Sequence, residues 1–258
     1  MRLPSRGKSP EVDDAAPIED LAWDDFTLLF RQRHKQGEHV AIVGPNGSGK
    51  SILGLELCKL RARRRTTGNH PASVVVLATK RRDSTLDRLG WPVLREWPPS
   101  VTEPNVIVWP RPKELERRAQ IQRRVMLHVL NKIEDEGGHT VYIDEAAYFE
   151  TDLPKGLGLS TTMDTLWRES RSNGITLIAT TQRPRHVSVS MWSEPAWLIA
   201  FRVDDLNDQK RVAEMSGERY AMLDAVDELR GHQFICVHRP RAGERRLFRS
   251  MVELRRTS

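Results

Sequence analysis

Residues 39–51 read His-Val-Ala-Ile-Val-Gly-Pro-Asn-Gly-Ser-Gly-Lys-Ser, and this stretch decides the fold. His39 to Val43 is a short apolar run of strand type, residues 44–51 form a complete phosphate-binding loop, and Ser51 to Leu60 has the apolar spacing of a helix. That order sets a helix N-terminus against a phosphate chain. Gly44, Gly47 and Gly49 let the backbone bend, with Asn46 and Ser48 between them, so that successive N–H groups face the β-phosphate. Lys50 is expected on the β and γ oxygens and the Ser51 hydroxyl on Mg²⁺. The chain is therefore expected to bind a nucleoside triphosphate with its metal.

Two further strand ends carry polar groups. Thr140 to Ile143 is a β-prone run that ends in Asp144-Glu145. In phosphoryl transfer the protein positions groups and stabilises charge, so Asp144 is expected to hold Mg²⁺ and Glu145 to polarise the attacking water. Gly174-Ile-Thr-Leu-Ile-Ala-Thr-Thr-Gln-Arg-Pro184 is an apolar strand over 175–179 with a polar tip. Gln182 there can hydrogen-bond the γ-phosphate or the attacking water and report whether the phosphate is present.

The succession of phosphate loop, strand ending Asp-Glu, helix ending Arg-x-x-Gly-Ile and strand ending Thr-Gln-Arg-Pro resembles the FtsK/HerA superfamily of P-loop motor ATPases over residues 38–203. The resemblance implies a RecA-like core of the ASCE type that hydrolyses ATP as a ring, a pentamer or hexamer, on double-stranded DNA. It also implies an arginine before the Gly-Ile strand, Arg171 or Arg168 one turn earlier, that reaches the γ-phosphate of a neighbouring subunit. The sequence carries no membrane span and no winged-helix or nuclease region of the kinds attached to larger relatives. A compact viral packaging ATPase or a mobile-element translocase is thus expected rather than a membrane-anchored pump. A portal or a membrane-bound partner stays open.

Composition sets the outer bounds. The chain has 258 residues, of which 38% are hydrophobic and 29% charged, and a net charge of +6, which favours a polyanionic partner. Basic residues cluster at 59–65, 80–82, 111–124 and 239–256. Over Lys113 to Ile133 the periodicity predicts a helix with Leu115, Ala119, Met126, Val129 and Ile133 on one face and Lys113, Arg117 and Arg124 on the other, where they could track a DNA backbone or simply be solvated. Lys155, in the loop 151–160, is a candidate grip on phosphate in a ring pore, or part of an ordinary connection.

The first twenty residues read as a disordered tail, followed by one ATPase domain over 21–258. Leu21 to Arg33 is expected to be a helix capped near Asp24 or Asp25, residues 91–104 an irregular connection, and Asp204 to Met215 a helix capped by Asp204. A hairpin, 233–238 with 245–252, closes the pattern. Alternating strands and helices make an α/β fold, a mostly parallel sheet with helices on both faces and a C-terminal β-hairpin. Two cysteines in apolar settings, Cys58 and Cys236, imply no disulfide framework, and the chain is expected in a reducing cytoplasm, the host's if it is viral.

Three activities fit these residues: a DNA translocase or packaging motor, a protein assembly or secretion ATPase of zonula-occludens-toxin or pilus type, and a regulatory ATP-binding module. Duplex DNA separates the first from the others, because only a DNA motor is expected to be stimulated by it.

Overall fold

The strands are short and apolar on both sides, which suits a sheet covered by helices on each face. A computed structural model describes residues 17–63, 73–97, 103–216 and 219–253. In chain order the elements are β1 (Ile18–Asp20), α1 (Trp23–Arg33), β2 (Val40–Val43), α2 (Lys50–Ala62), β3 (Val74–Leu77), α3 (Ser84–Asp87), β4 (Val93–Leu94), β5 (Asn105–Val108) and α4 (Arg118–Glu136). There follow β6 (Thr140–Ile143), α5 (Ala146–Glu150), α6 (Ser160–Glu169), β7 (Thr176–Thr181), a 3₁₀ turn at Pro184–His186, α7 (Ser190–Ser193), β8 (Trp197–Phe201), α8 (Leu206–Ser216), α9 (Arg219–Glu228), β9 (Gln233–His238) and β10 (Arg246–Met251).

All strands join one sheet in the order β1-β10-β9-β8-β2-β7-β6-β3-β5-β4. From β8 to β4 every pairing is parallel. The β9–β10 hairpin is antiparallel and adds to β8, and β1 runs parallel to β10 at the edge. Alternate residues of each central strand serve opposite cores. Val40, Ile42, Val76, Tyr142 and Ile178 pack with Phe26 and Phe30 of α1 and Leu53 and Leu57 of α2. Ala41, Val43, Val75, Val141 and Leu177 pack with Met126 and Val129 of α4, Leu166 and Trp167 of α6, and Val226 of α9.

One close approach sets the height of α2 over the sheet. A Cβ at Gly54 would run into the ring of Tyr142, so glycine is required there despite its cost of about 1 kcal/mol in a helix.

Several expectations need correction. The expected tail ends earlier than residue 20, because Ile18–Asp20 pair with Leu247–Arg249 and Asp20 binds the Arg249 guanidinium at 2.6 Å and 2.9 Å; residues 1–16 lie outside the described part. Helix α1 begins at Trp23 with Ala22 at its cap, and Asp24 and Asp25 sit in the first turn, where carboxylates favour the helix dipole. The stretch 91–104 contains the short edge strand β4.

The largest correction concerns 113–117. Helix α4 starts only at Arg118, so Lys113 and Arg117 lie before it and Leu115 is 70% exposed, whereas Ala119, Met126, Val129 and Ile133 are buried as expected. With Leu115 exposed, residues 113–117 bring no buried apolar side chain to the core, and the buried face begins only at Ala119. At α8 the capping carboxylate is Asp205, not Asp204: it accepts from the N–H groups of Asn207 and Asp208, both at 3.0 Å. Helix α9 had no expectation at all.

Candidate nucleotide site

The C-terminal ends of β2, β7 and β6 lie side by side, and neighbouring strands are about 4.8 Å apart, so three strand tips fall within roughly 10 Å. Val43 is in register with Thr181 and Ile143 with Ala179, which sets Gly44, Asp144, Glu145 and Gln182 at one end of the sheet. The Gly44 N–H continues the ladder to the Thr181 carbonyl at 3.2 Å.

The loop is held from several sides. Gly49, at φ 104°, turns the chain into α2 in a conformation that side chains with a Cβ rarely adopt. Lys50 is buried and donates to the Pro45 carbonyl at 3.2 Å, spanning the loop from end to start. Gly47 and Asn46 stand exposed at the tip, and Ser48 is buried beneath it. The first N–H groups of α2, those of Lys50 and Ser51 among them, have no carbonyl one turn earlier to bind. They form the cradle expected for a phosphate.

Ser51 Oγ donates to Asp144 Oδ1 at 2.8 Å, and the same oxygen accepts from the Tyr142 hydroxyl at 3.1 Å. A hydroxyl and a carboxylate in contact are hard oxygen donors that suit Mg²⁺. Asp144 is 3% exposed and held against the Ser51 hydroxyl, so the donor set fits the metal implied by the sequence. Glu145 is half anchored. Its Oε1 accepts from the Thr181 hydroxyl at 3.0 Å and the Gln182 N–H at 3.3 Å, while its Oε2 is buried without a partner. Burial pushes the Glu145 carboxyl up, against the Thr181 and Gln182 hydrogen bonds and the Lys50 charge. Burial also pulls the Lys50 ammonium down, against Glu145 and Asp144.

The remaining expected residues lie elsewhere. Arg171 precedes β7, and its backbone and Cγ crowd Gly37 before β2, so it stands at the opposite end of the sheet from Lys50. A six-residue strand spans about 20 Å, which puts its own subunit's site out of reach. Arg168 is paired with Asp164 at 2.8 Å. Lys113, Arg117 and Arg124 are exposed, Arg117 beside Glu114 at 3.6 Å. Lys155 is exposed on a loop that is otherwise fixed: Leu157, Gly158 and Leu159 donate back to the Tyr148, Thr151 and Phe149 carbonyls, and Arg123 binds the carbonyls of Leu157 and Gly158. In the basic cluster at 239–256, of which residues 254–256 lie outside the described part, Arg239 is bound to the Trp192 and Pro195 carbonyls and Arg246 to Glu19, all at 2.6 Å, while Arg241 and Arg245 are exposed.

Three participants were not anticipated. Lys80, noted only as part of a basic cluster, has its ammonium 2.5 Å from Asp144 Oδ2. His232, at the start of the hairpin, places Nδ1 2.9 Å from the Ser48 carbonyl. Glu150, at the end of α5, accepts from the Ser188 N–H at 2.5 Å and hydroxyl at 3.3 Å, tying the helix after Glu145 to the segment after Gln182; burial pushes its carboxyl up to about 7. A lysine directly after a buried strand was the signal for Lys80. The other two had none.

Solved structures share this fold. The chain is similar to the genome-packaging NTPase B204 of Sulfolobus turreted icosahedral virus 2, at 18% identity and a TM-score of 0.54, over 84% of this chain and 98% of that one. It is also similar to VirB4 of Thermoanaerobacter pseudethanolicus, at 9% identity and a TM-score of 0.61, over 84% and 90%. The fold is that of a RecA-like P-loop ATPase. A third such structure, the cytoplasmic domain of the Type VII secretion ATPase EccC of Thermomonospora curvata, matches at 18% identity and a TM-score of 0.53, over 84% of this chain and 25% of that one. No protein-family model matches the chain, and no curated protein matches it in sequence. The resemblance drawn from the motifs therefore holds at the level of the P-loop ATPase fold, and no helix among the described residues is long and apolar enough to cross a membrane.

Proposed function

We propose that the chain is an ATP-hydrolysing motor that acts as a ring, a pentamer or hexamer, on double-stranded DNA. The observation that carries the reading is the meeting of Lys50, Ser51, Asp144, Glu145 and Gln182 at the tips of three adjacent parallel strands. Ser51 and Asp144 would hold Mg²⁺, which when bound supplies charge neutralisation at the β and γ oxygens. Lys50 and the first N–H groups of α2 hold the triphosphate. Glu145, fixed through one oxygen, leaves Oε2 to orient a water and take its proton. Gln182 shares the Glu145 carboxylate through its N–H, so a change at the γ-phosphate moves both groups and, through Glu150 and Ser188, the segment that follows.

The place of Arg171 argues for a ring. At the far end of the sheet it is out of reach of its own subunit's Lys50, which leaves it available to a site on a neighbouring subunit, and heterologous contacts that close generate rings. Lys113, Arg117, Arg124 and Lys155 are exposed cations in a chain of net charge +6, which supports a polyanionic track. The test is ATP turnover with and without duplex DNA at low salt, joined to imaging with a non-hydrolysable nucleotide. DNA-stimulated turnover and closed rings are expected. Turnover indifferent to DNA would move the reading to a protein-assembly or secretion ATPase, and slow turnover without rings to a regulatory module.

A further inference from the structure

The tip of β3 reaches the nucleotide site from the far side of β6, and a single side chain makes the connection. Lys80 is fixed by its surroundings: its carbonyl accepts from the Trp109 indole at 2.6 Å, and the preceding Thr79 carbonyl accepts from Gln122 at 2.8 Å and from Arg118. Its ammonium stands between two carboxylates, 2.5 Å from Asp144 Oδ2 and 3.5 Å from Asp83 Oδ2. The two are unequal. Asp83 caps α3, accepting from the Thr85 and Leu86 N–H groups through Oδ1, whereas Asp144 is 3% exposed and has its other oxygen engaged by Ser51 and Tyr142. Oδ2 takes the Lys80 ammonium at 2.5 Å, a short charge-assisted contact.

A cation set against the second oxygen of a metal-type carboxylate adds to the Lys50 charge in compensating a buried Asp144, which would otherwise be costly. It also puts an ammonium beside the carboxylate that would hold a divalent ion. We propose that Lys80 is a positioning residue of the nucleotide site: it holds Asp144 in place while the site is empty and transfers to Asp83 when Mg²⁺ and nucleotide arrive. The inference rests on the reading of Asp144 as the metal carboxylate. It makes metal-free nucleotide binding tolerable, because the phosphates then face a compensated Asp144, and it makes Mg²⁺ compete with a tethered ammonium.

The test is equilibrium binding of a fluorescent ADP analogue, first in EDTA and then against a Mg²⁺ titration, with melting curves to verify folding. In Lys80→Met the affinity in EDTA is expected to fall about tenfold, as for one positive charge removed from a partly screened site, while the Mg²⁺ midpoint falls severalfold. Asp83→Asn, which keeps the helix cap but removes the alternative partner, is expected to raise the Mg²⁺ midpoint. A purely structural lysine would move neither midpoint. Unchanged EDTA affinity and Mg²⁺ midpoints in both variants overturn the assignment. Wild-type protein that binds the analogue with no response to Mg²⁺, or does not bind it, instead overturns the nucleotide-site reading and the inference with it.

Discussion

The two ends of the central strands gather different chemistry, mainly backbone carbonyls and neutral side chains at one and charged side chains at the other. At the N-terminal end, Gln36 donates to the carbonyls of Gly138 and His139 at 3.2 Å and of Gly174 at 2.5 Å and accepts from Arg61, while the Gly37 N–H meets Thr176 Oγ1 at 2.9 Å and the Leu177 N–H meets His39 Nδ1 at 3.0 Å. At the C-terminal end, Lys50, Lys80, Asp144 and Glu145 are held close together, so that desolvated charges of both signs meet there. One end brackets β2, α2, β6 and β7 together; the other keeps charge poised for a ligand. Charged groups gathered out of water are costly, and their concentration at one end marks the candidate site.

The sharpest way to break this contrast is Lys50→Ala. ATP turnover is expected to fall about a thousandfold, on the order of 4 kcal/mol, while thermal stability is unchanged or rises, because a desolvated ammonium is removed. A large drop in melting temperature would make Lys50 a structural member like Gln36. Glu145→Gln is next: turnover should drop about a hundredfold, roughly 3 kcal/mol, with nucleotide affinity retained in a binding assay.

At the opposite end the effects should fall on folding. Burial, with the Arg171 charge next, pulls the His39 imidazole from 6.5 down to about 4, so the fold binds it neutral. Its contribution is undiminished above the unfolded value of 6.5 and is lost as pH falls from 6.5 toward 4, to a total of about 3 kcal/mol. Denaturant titrations across that window should show the loss in wild type and less of it in His39→Gln. Gln36→Ala strips partners from three carbonyls and from buried Arg61 and should cost about 2 kcal/mol in the same titrations. Turnover per folded molecule should hold; a matching loss of turnover would erase the distinction between the two ends.

The sequence by itself determined the α/β alternation and the three polar strand tips, and with them the expectation of nucleotide chemistry, because each rests on local order: an apolar run of period two or less, then residues that only a turn or a ligand explains. It determined Ala119, Met126, Val129 and Ile133 as a buried face for the same reason, and failed at Leu115, which lies before the helix begins and is exposed. Strand order was not available to it, since parallel neighbours are joined through helices and no local pattern says that β7 enters between β2 and β6. Only the tertiary structure brought Lys80 to Asp144, His232 to the loop and Ser188 to Glu150, and carried Arg171 to the far end of the sheet. Charge interactions depend on distance in space and on burial, and neither quantity is written in the spacing of residues along the chain.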